Sequence, residues 1–180
     1  MKFLSIGMLL FLTTNVASAW FGISTVSSVD PAKFVGTWYR ISSNPIIFEP
    51  ACACARQVLS GKSDGTVGVY NTCNKDEVKG EPVSIKGYAT PDDSTFTKLS
   101  VHFEGVSMTG SYWIVGLDEQ YRWTVVTDSF GYSLYVMSRT PTLSAADYAA
   151  ATAQASSNGV SVSKLEMQVQ DGCSYPPTNP

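Results

Sequence analysis

The chain has 180 residues, a formal net charge of −3 and 44% hydrophobic residues. This length suits one domain with a single sizeable core. Weak acidity without a basic cluster argues against partners such as nucleic acid or an anionic membrane surface. With one histidine and four cysteines in the chain, a metal site lacks a compact ligand set, and we expect neither a metal nor a cofactor.

The N-terminus has the pattern of a secretory signal. A positively charged start is followed by an apolar run over 3–12 and by the small-x-small sequence Ala17-Ser18-Ala19, which is too short to span a bilayer. The predicted division is a signal peptide at 1–19, a folded domain at 20–172 and a Pro-rich tail at 173–180. The residue directly after the predicted cleavage point is Trp20 and not a cysteine, so we expect no bacterial lipid anchor and no integral membrane segment in the mature chain. The predicted location is extracellular, or periplasmic in a bacterium.

The first strand after this leader carries a glycine, Gly36, two residues before a tryptophan, Trp38. This pair suits the closed end of a small β-barrel, where a residue without a side chain lets the backbone turn tightly and a large ring fills the floor. The alternative is that Trp38 is an ordinary core residue of a strand.

Between Phe34 and Met137 the sequence consists of short β-prone runs separated by turn residues such as Ser63-Asp64-Gly65. Their Val, Ile, Tyr, Phe, Trp and Thr content favours strand over helix. The predicted strands are Gly36 to Ser43, Cys54 to Ser60, Thr66 to Cys73, Val83 to Ala89, Lys98 to Phe103, Ser111 to Leu117, Arg122 to Thr127 and Tyr132 to Ser138. Eight strands can close into a barrel, although an open two-sheet sandwich fits the same spacing.

A helix is predicted over Ala145 to Ser157, since Ser144 can cap it, Asp147 is at the third helical position and Asn158-Gly159 can stop it. Its small side chains would let it lie close on the barrel wall. Val160 to Val169 then predicts a final strand, followed by a tail held only by Cys173.

A series of motifs follows in order along the chain. They are Gly36-Thr37-Trp38-Tyr39, Phe48-Glu49, Asp64-Gly65, Val69-Tyr70-Asn71, Tyr112-Trp113, Leu117-Asp118-Glu119-Gln120-Tyr121 and Ser138-Arg139-Thr140-Pro141. With the capped helix behind them, they resemble the lipocalin family, and most closely its bacterial lipocalin and apolipoprotein D branch, over nearly the whole mature chain.

The resemblance implies an all-β fold, an eight-stranded up-and-down antiparallel β-barrel with one C-terminal α-helix packed outside. It implies that Arg139 lies across the face of Trp38 as a cation on a π system. The motif residues to which it assigns a structural role are Gly36, Trp38, Asp118, Tyr121 and Arg139.

A lipocalin-like barrel implies a cavity for one small apolar ligand. The expected function is that of a secreted carrier or scavenger, a monomer or weak dimer, that binds a fatty acid, lysolipid or similar lipid. The expected wall residues are Val101, Phe103, Tyr112, Ile114, Trp123, Val125, Leu134 and Val136, although a register shift of one residue would exchange the faces. Arg40 shares the face of Trp38 and could anchor a carboxylate, unless it reaches out of the barrel's lower rim instead.

The four cysteines predict two disulfides. If Lys62 lies opposite Gly65 in the first hairpin turn, then Cys54 lies opposite Cys73, which leaves Cys52 for Cys173. In the branch that the chain resembles, a bridge also joins this strand start to the C-terminus, but the match falls between Cys52 and Cys54. Exchange of the two partners therefore stays open.

Two other functions are considered. Some relatives in the resembled family are isomerases or de-epoxidases, but His102 lies on the polar side of its strand and bridged cysteines leave no thiolate, so we predict no catalytic residue and no enzyme. The other is an interaction or defence protein that uses the loops at the open end, where Val106 and Met108 could form an apolar lip.

Overall fold

A computed structural model describes residues 22–45 and 51–175. The predicted signal peptide at 1–19, the Phe48-Glu49 motif and the end of the tail lie outside the described residues. None of the helices in these ranges is long and apolar enough to cross a membrane.

Within the described ranges the chain forms nine strands and two helical segments. In chain order they are α1 (Pro31–Phe34), β1 (Gly36–Ser43), β2 (Cys52–Gly61), β3 (Val67–Lys75), β4 (Pro82–Pro91), β5 (Lys98–Phe103), β6 (Gly110–Leu117), β7 (Trp123–Thr127), β8 (Leu134–Ser138), α2 (Ala145–Ser157) and β9 (Glu166–Met167).

Strands β1 to β8 close into a ring of antiparallel neighbours. Each strand from β2 to β7 pairs with the next strand along the chain, and β1 pairs with both β2 and β8. The predicted up-and-down barrel is therefore confirmed, and the open sandwich is excluded because no strand edge separates two sheets.

The short segment α1 shapes the closed end of this ring. Asp30 caps it by accepting a hydrogen bond from the backbone N–H of Ala32 at 3.0 Å, and Pro31 fits the first helical position. The turn carries Phe34, which is 1% exposed, beneath the ring, where its ring centroid lies 5.3 Å from that of Trp38. Together these aromatic rings fill the floor of the barrel.

Helix α2 has the predicted bounds and lies outside the barrel. The Ser144 hydroxyl accepts from the backbone N–H of Asp147 at 3.1 Å and donates to its carboxylate at 2.9 Å. The helix buries Ala151 and Ala155 against the wall, and the side chain of Gln154 accepts from the backbone N–H of Leu117 at 2.7 Å. This cover explains why the outer face of the neighbouring strands is apolar.

The predicted final strand over Val160 to Val169 is wrong, since only Glu166–Met167 pairs, with Ser42 and Ser43 of β1. The residues before β9 turn instead of extending, because Val160, Val162 and Leu165 pack with α2. They belong to an apolar cluster between α2 and the barrel wall, which we call the outer cluster. Packing of these apolar side chains there prevails over their strand propensity.

The tail is held by more than Cys173, contrary to the prediction. The side-chain amide of Gln170 donates at 2.8 Å to the carbonyls of both Arg40 and Ala55, one on each side of the gap between β1 and β2. The ring of Tyr175 lies 4.9 Å from that of Tyr39, centroid to centroid. Gln170, just before the tail, thus joins the first two strands above the point where their own pairing ends, and Tyr175 of the tail packs beside it on β1.

The disulfides join Cys52 to Cys73 and Cys54 to Cys173, so the expected pairing of Cys54 with Cys73 is wrong and the exchanged one is present. The prediction assumed one register along the whole hairpin, but the β2–β3 register shifts between Ala53 and Arg56. Cys54 has a φ of 58° at this bulge, which turns its side chain away from β3 and towards the tail.

Candidate functional site

The open half of the barrel contains a cavity of about 610 Å³. This volume is within the range of pockets that hold one small molecule. The residues that line it are Arg40, Cys52, Arg56, Gln57, Asn71, Thr72, Cys73, Val83, Ser84, Ile85, Val101, Phe103, Gly110, Ser111, Tyr112, Ser133, Tyr135 and Met137.

A hydrogen bond across the barrel closes the bottom of the cavity. The hydroxyl of Tyr112 on β6 donates to the side-chain carbonyl of Gln57 on β2 at 2.8 Å. Burial raises the pKa of Tyr112 far above its usual value, although the charge of Arg139 opposes this, so the phenol stays a neutral donor. Below it, the rings of Phe34 and Phe96 pack at 6.2 Å and close the lower half.

Arg139 and Trp38 seal the closed end. The guanidinium carbon lies 3.6 Å from the centroid of the indole ring, the arrangement that the motifs imply. Arg139 also donates to the carbonyls of Thr37 at 3.1 Å, Phe34 at 3.2 Å and Tyr121 at 3.3 Å. The indole N–H of Trp38 donates to the carbonyl of Phe34 at 2.9 Å. Burial lowers the pKa of Arg139. An arginine guanidinium nevertheless stays charged in proteins.

Asp118 and Tyr121 hold the β6–β7 turn at the same end. The carboxylate of Asp118 accepts from the guanidinium of Arg122 at 2.7 and 3.0 Å and from the backbone N–H of Gln120 at 3.0 Å. These bonds, those of Arg122 first, lower the pKa of Asp118. The Tyr121 hydroxyl accepts from the backbone N–H of Asp30 at 2.8 Å. Neither side chain lines the cavity, so both position the chain rather than a ligand.

Four of the nine predicted cavity residues line the cavity, namely Arg40, Val101, Phe103 and Tyr112. The guanidinium carbon of Arg40 lies 4.9 Å from the ring centroid of Tyr135, within cation–π range. Among the described lining residues there is no Asp or Glu. The charge in this wall therefore favours an anion.

The other five do not line it, and their prediction as wall residues is wrong: Ile114, Trp123, Val125, Leu134 and Val136. Ile114 belongs to the interior cluster with Phe34 and Trp38, whereas the other four belong to the outer cluster beneath α2. The strands β7 and β8 are apolar on both faces because α2 covers one of them, so alternation could not tell the faces apart.

Sequence reasoning missed several wall residues. Val83 and Ile85 alternate with Ser84 and Lys86 along β4, a pattern that could have identified them. Tyr135 and Met137 carried no such signal, because their neighbours on β8 are also apolar. The Cys52–Cys73 bridge lies in the wall as a result of the bulge in β2, which the sequence does not reveal.

Comparisons with known proteins agree with this geometry. The family model of the lipocalin-like domain matches residues 29–170. The outer membrane lipoprotein Blc of Citrobacter freundii is 32% identical over 152 residues, which cover 84% of this chain and 85% of that protein. Apolipoprotein D of Bos taurus is 28% identical over 151 residues, which cover 80% of this chain and 78% of that protein.

A solved structure supports the fold. Lobster apocrustacyanin A1 aligns with a TM-score of 0.65 over 83% of this chain and 91% of that chain, at 16% identity. This likeness concerns the fold alone. Because the family model spans most of the chain and Blc is similar over most of its length, the chain belongs to the lipocalin family.

Proposed function

We propose that this lipocalin is a secreted, non-enzymatic carrier or scavenger of a small hydrophobic molecule with an acidic group, such as a fatty acid or lysolipid. The observation that carries the proposal is the positive charge of Arg40 and Arg56 in the wall of a cavity of about 610 Å³ that has no acidic side chain among its described lining residues. Arg40 stacks on Tyr135 there. Similarity to apolipoprotein D supports a lipid as ligand.

The apolar part of the wall would supply most of the affinity. Val83, Ile85, Val101, Phe103 and Met137 line the cavity, and each Å² of acyl chain that they cover contributes about 25 cal/mol. Such burial is non-directional, so it accepts many chain lengths and shapes.

Arg40 would supply the selectivity for an acid. A guanidinium can donate two parallel hydrogen bonds to a carboxylate or phosphate, and contact with the Tyr135 ring orients it towards the cavity. A cationic ligand finds no carboxylate among the described lining residues, so it would leave its charge uncompensated on burial.

The test is displacement of a fluorescent fatty acid from the wild type and from Arg40→Met. We expect saturable 1:1 binding of palmitate by the wild type, and about tenfold weaker binding by the variant, the order of one charge-assisted hydrogen-bonded pair. Hexadecanol, which has the same chain without the acid, should bind both equally. Arg122→Gln, in an arginine that is half exposed and does not line the cavity, is the matched control.

The result that would exclude this function is an absence of saturable palmitate binding at micromolar protein. If binding occurs but Arg40→Met weakens palmitate and hexadecanol alike, the lipid cavity stands and the anchoring role of Arg40 is wrong.

The chemistry of the remaining groups supports binding rather than catalysis. All four cysteines are in disulfides, so there is no thiolate to attack a substrate. His102 does not line the cavity; its ring stacks on that of Tyr88 at 4.8 Å and its Nδ1 pairs with the Thr109 hydroxyl at 3.2 Å. A titration that finds a reactive thiol in the native protein would reopen isomerase chemistry.

A further inference from the structure

Two loops at the open end expose large apolar side chains to water. The loop at 104–109 joins β5 to β6, and the loop at 128–133 joins β7 to β8. The exposed side chains, which we call the rim cluster, are Val106 (46% exposed), Met108 (77%), Phe130 (77%) and Tyr132 (80%). Ser133, next to Tyr132, and Ser111, close to Met108, line the cavity. The rim cluster therefore borders the cavity mouth.

The loop at 128–133 is built to hold its two rings outward. The Asp128 carboxylate accepts from the backbone N–H of Phe130 at 2.7 Å and from the Ser133 hydroxyl at 2.7 Å. Gly131, between the rings, has a φ of +76°, which favours glycine. The rings of Phe130 and Tyr132 stack on each other at 6.0 Å rather than on the barrel.

The loop at 128–133 is also bonded to the segments beside it. The Ser111 hydroxyl, just after the first loop, donates to that of Ser129 in the second at 3.2 Å. The carbonyl of Tyr132 accepts from the side-chain amide of Asn44 at 3.3 Å. These bonds hold the loop at 128–133 in place, and exposed apolar side chains close together mark an interaction site.

The charges around the rim cluster identify the partner. Neither loop contains Lys or Arg, and Glu104 and Asp128 are their only charged residues. Attraction to anionic lipid needs a basic cluster, which is missing from both loops. Phenylalanine, methionine and tyrosine, in contrast, enter the boundary between lipid head groups and acyl chains without any help from charge.

We propose that the rim cluster docks the cavity mouth onto an uncharged, phosphatidylcholine-type lipid surface. A ligand then passes between that surface and the cavity without crossing water. Transfer through water is the step that limits exchange of an apolar molecule. This proposal rests on the proposed function, because it assumes that the cavity ligand is a lipid.

The test is co-sedimentation with phosphatidylcholine vesicles of the wild type and of Phe130→Ser combined with Tyr132→Ser. We expect the double variant to partition about 100-fold more weakly, about tenfold for each ring removed from the lipid. Met167→Ser is the matched control: its side chain is 65% exposed on β9, outside both rim loops, and the substitution should leave partition unchanged. Vesicles enriched in phosphatidylserine should bind no better than those without it.

Three results would overturn the proposal: no sedimentation of the wild type with phosphatidylcholine, equal sedimentation of the double variant, or sedimentation that requires anionic lipid. A dimer in size-exclusion chromatography with light scattering that the double variant abolishes would assign the rim cluster to a second copy of the chain. Palmitate displacement without vesicles separates the two proposals. If palmitate binds to both proteins but vesicles do not, docking alone fails, and if palmitate does not bind the wild type, the carrier function fails.

Discussion

The guanidinium of Arg139 lies 3.6 Å from the ring centroid of Trp38 and donates to the carbonyls of Thr37 and Phe34. Arg139, the residue after β8, therefore satisfies backbone carbonyls just before β1 and at its start. The first and last strands of the barrel meet at this point. Arg139 therefore links these two strands and also covers the Trp38 ring at the closed end.

Substitution of Arg139 by Ala should lower the free energy of unfolding by about 3 kcal/mol. The loss combines a partly buried cation–π contact of about 0.5 to 2 kcal/mol with hydrogen bonds from a charged donor at about 1.5 to 3 kcal/mol, which are not additive. Arg139→Lys should lie between Ala and wild type, because an ammonium cannot span the same carbonyls. Urea denaturation measures both.

Arg122→Ala is the control for the loss of a positive charge at the same end. Its pair with Asp118 and Asp147 has a guanidinium that is 52% exposed, so it should contribute less than about 1 kcal/mol. An equal loss at Arg139 and Arg122 would mean that the Trp38 contact and the bonds to the carbonyls together contribute no more than an exposed ion pair.

Gly36 should not tolerate a side chain. Its φ is +108°, and a Cβ there would lie 3.1 Å from a guanidinium nitrogen of Arg139. We expect Gly36→Ala to lower the free energy of unfolding by about 1 to 3 kcal/mol, the range for a residue forced into such a conformation. Gly61→Ala, at a position with no atom within 4 Å of the new Cβ, should change the midpoint in urea only slightly. Similar losses at both positions would mean that neither the positive φ nor the Arg139 contact restricts Gly36.

Asp118 should make the stability depend on pH in acid. Its pKa in the folded state is below the usual 3.8, first because of the hydrogen bonds from Arg122. The unfolded state therefore binds the proton more tightly, so the stabilisation is complete above about pH 4 and is lost as the pH falls through the folded pKa. Asp118→Asn should be less stable than wild type by about 1 kcal/mol at pH 7, and the two should converge towards pH 2. A difference that stays constant with pH would exclude this explanation.

Part of the closed end could be predicted from local chemistry. Gly36 and Trp38 indicated a tight turn and a large ring at the bottom of the barrel from their residue types, and the cap at Ser144 fixed the start of α2. The place of Arg139 over Trp38 came instead from the resemblance to lipocalins. Leu134 and Tyr135 differ in this respect: either could face the cavity, and only the position of α2, a long-range contact, decides it.

The exchanged cysteine partners arose for a related reason. A bulge adds one residue to β2 and moves Cys54 to the outside, and no turn residue marks it in the sequence. Hydrophobic alternation and turn chemistry report local geometry, whereas register shifts depend on the packing of the whole ring.

Removal of the two disulfides should have unequal effects. The Cys54–Cys173 bridge closes a separation of 119 residues and the Cys52–Cys73 bridge one of 21, for which loop-closure entropy gives about 5 and about 3 kcal/mol. Cys54→Ser with Cys173→Ser should therefore lower the thermal midpoint more than Cys52→Ser with Cys73→Ser. The reverse order would show that the tail contributes little to the barrel.

Neighbouring residues of β8 should separate ligand affinity from stability. Tyr135 lines the cavity beside Arg40, whereas Val136 is fully buried in the outer cluster beneath α2. Tyr135→Ala should weaken palmitate binding by about tenfold, because Arg40 loses the ring that orients it. Val136→Ala should leave that affinity unchanged but lower the free energy of unfolding by about 2 kcal/mol, for two lost methyl groups and the space they leave.

Fluorescent fatty-acid displacement and urea denaturation of the two β8 variants supply both measurements on each protein. If Val136→Ala weakens palmitate binding while Tyr135→Ala does not, β8 presents its other face to the ligand, and the cavity wall belongs to Leu134 and Val136 after all. If both variants lose stability and neither loses affinity, palmitate binds at a site that β8 does not form. The expected pattern, one loss in each assay, is possible only when α2 covers Val136 and the ligand contacts Tyr135.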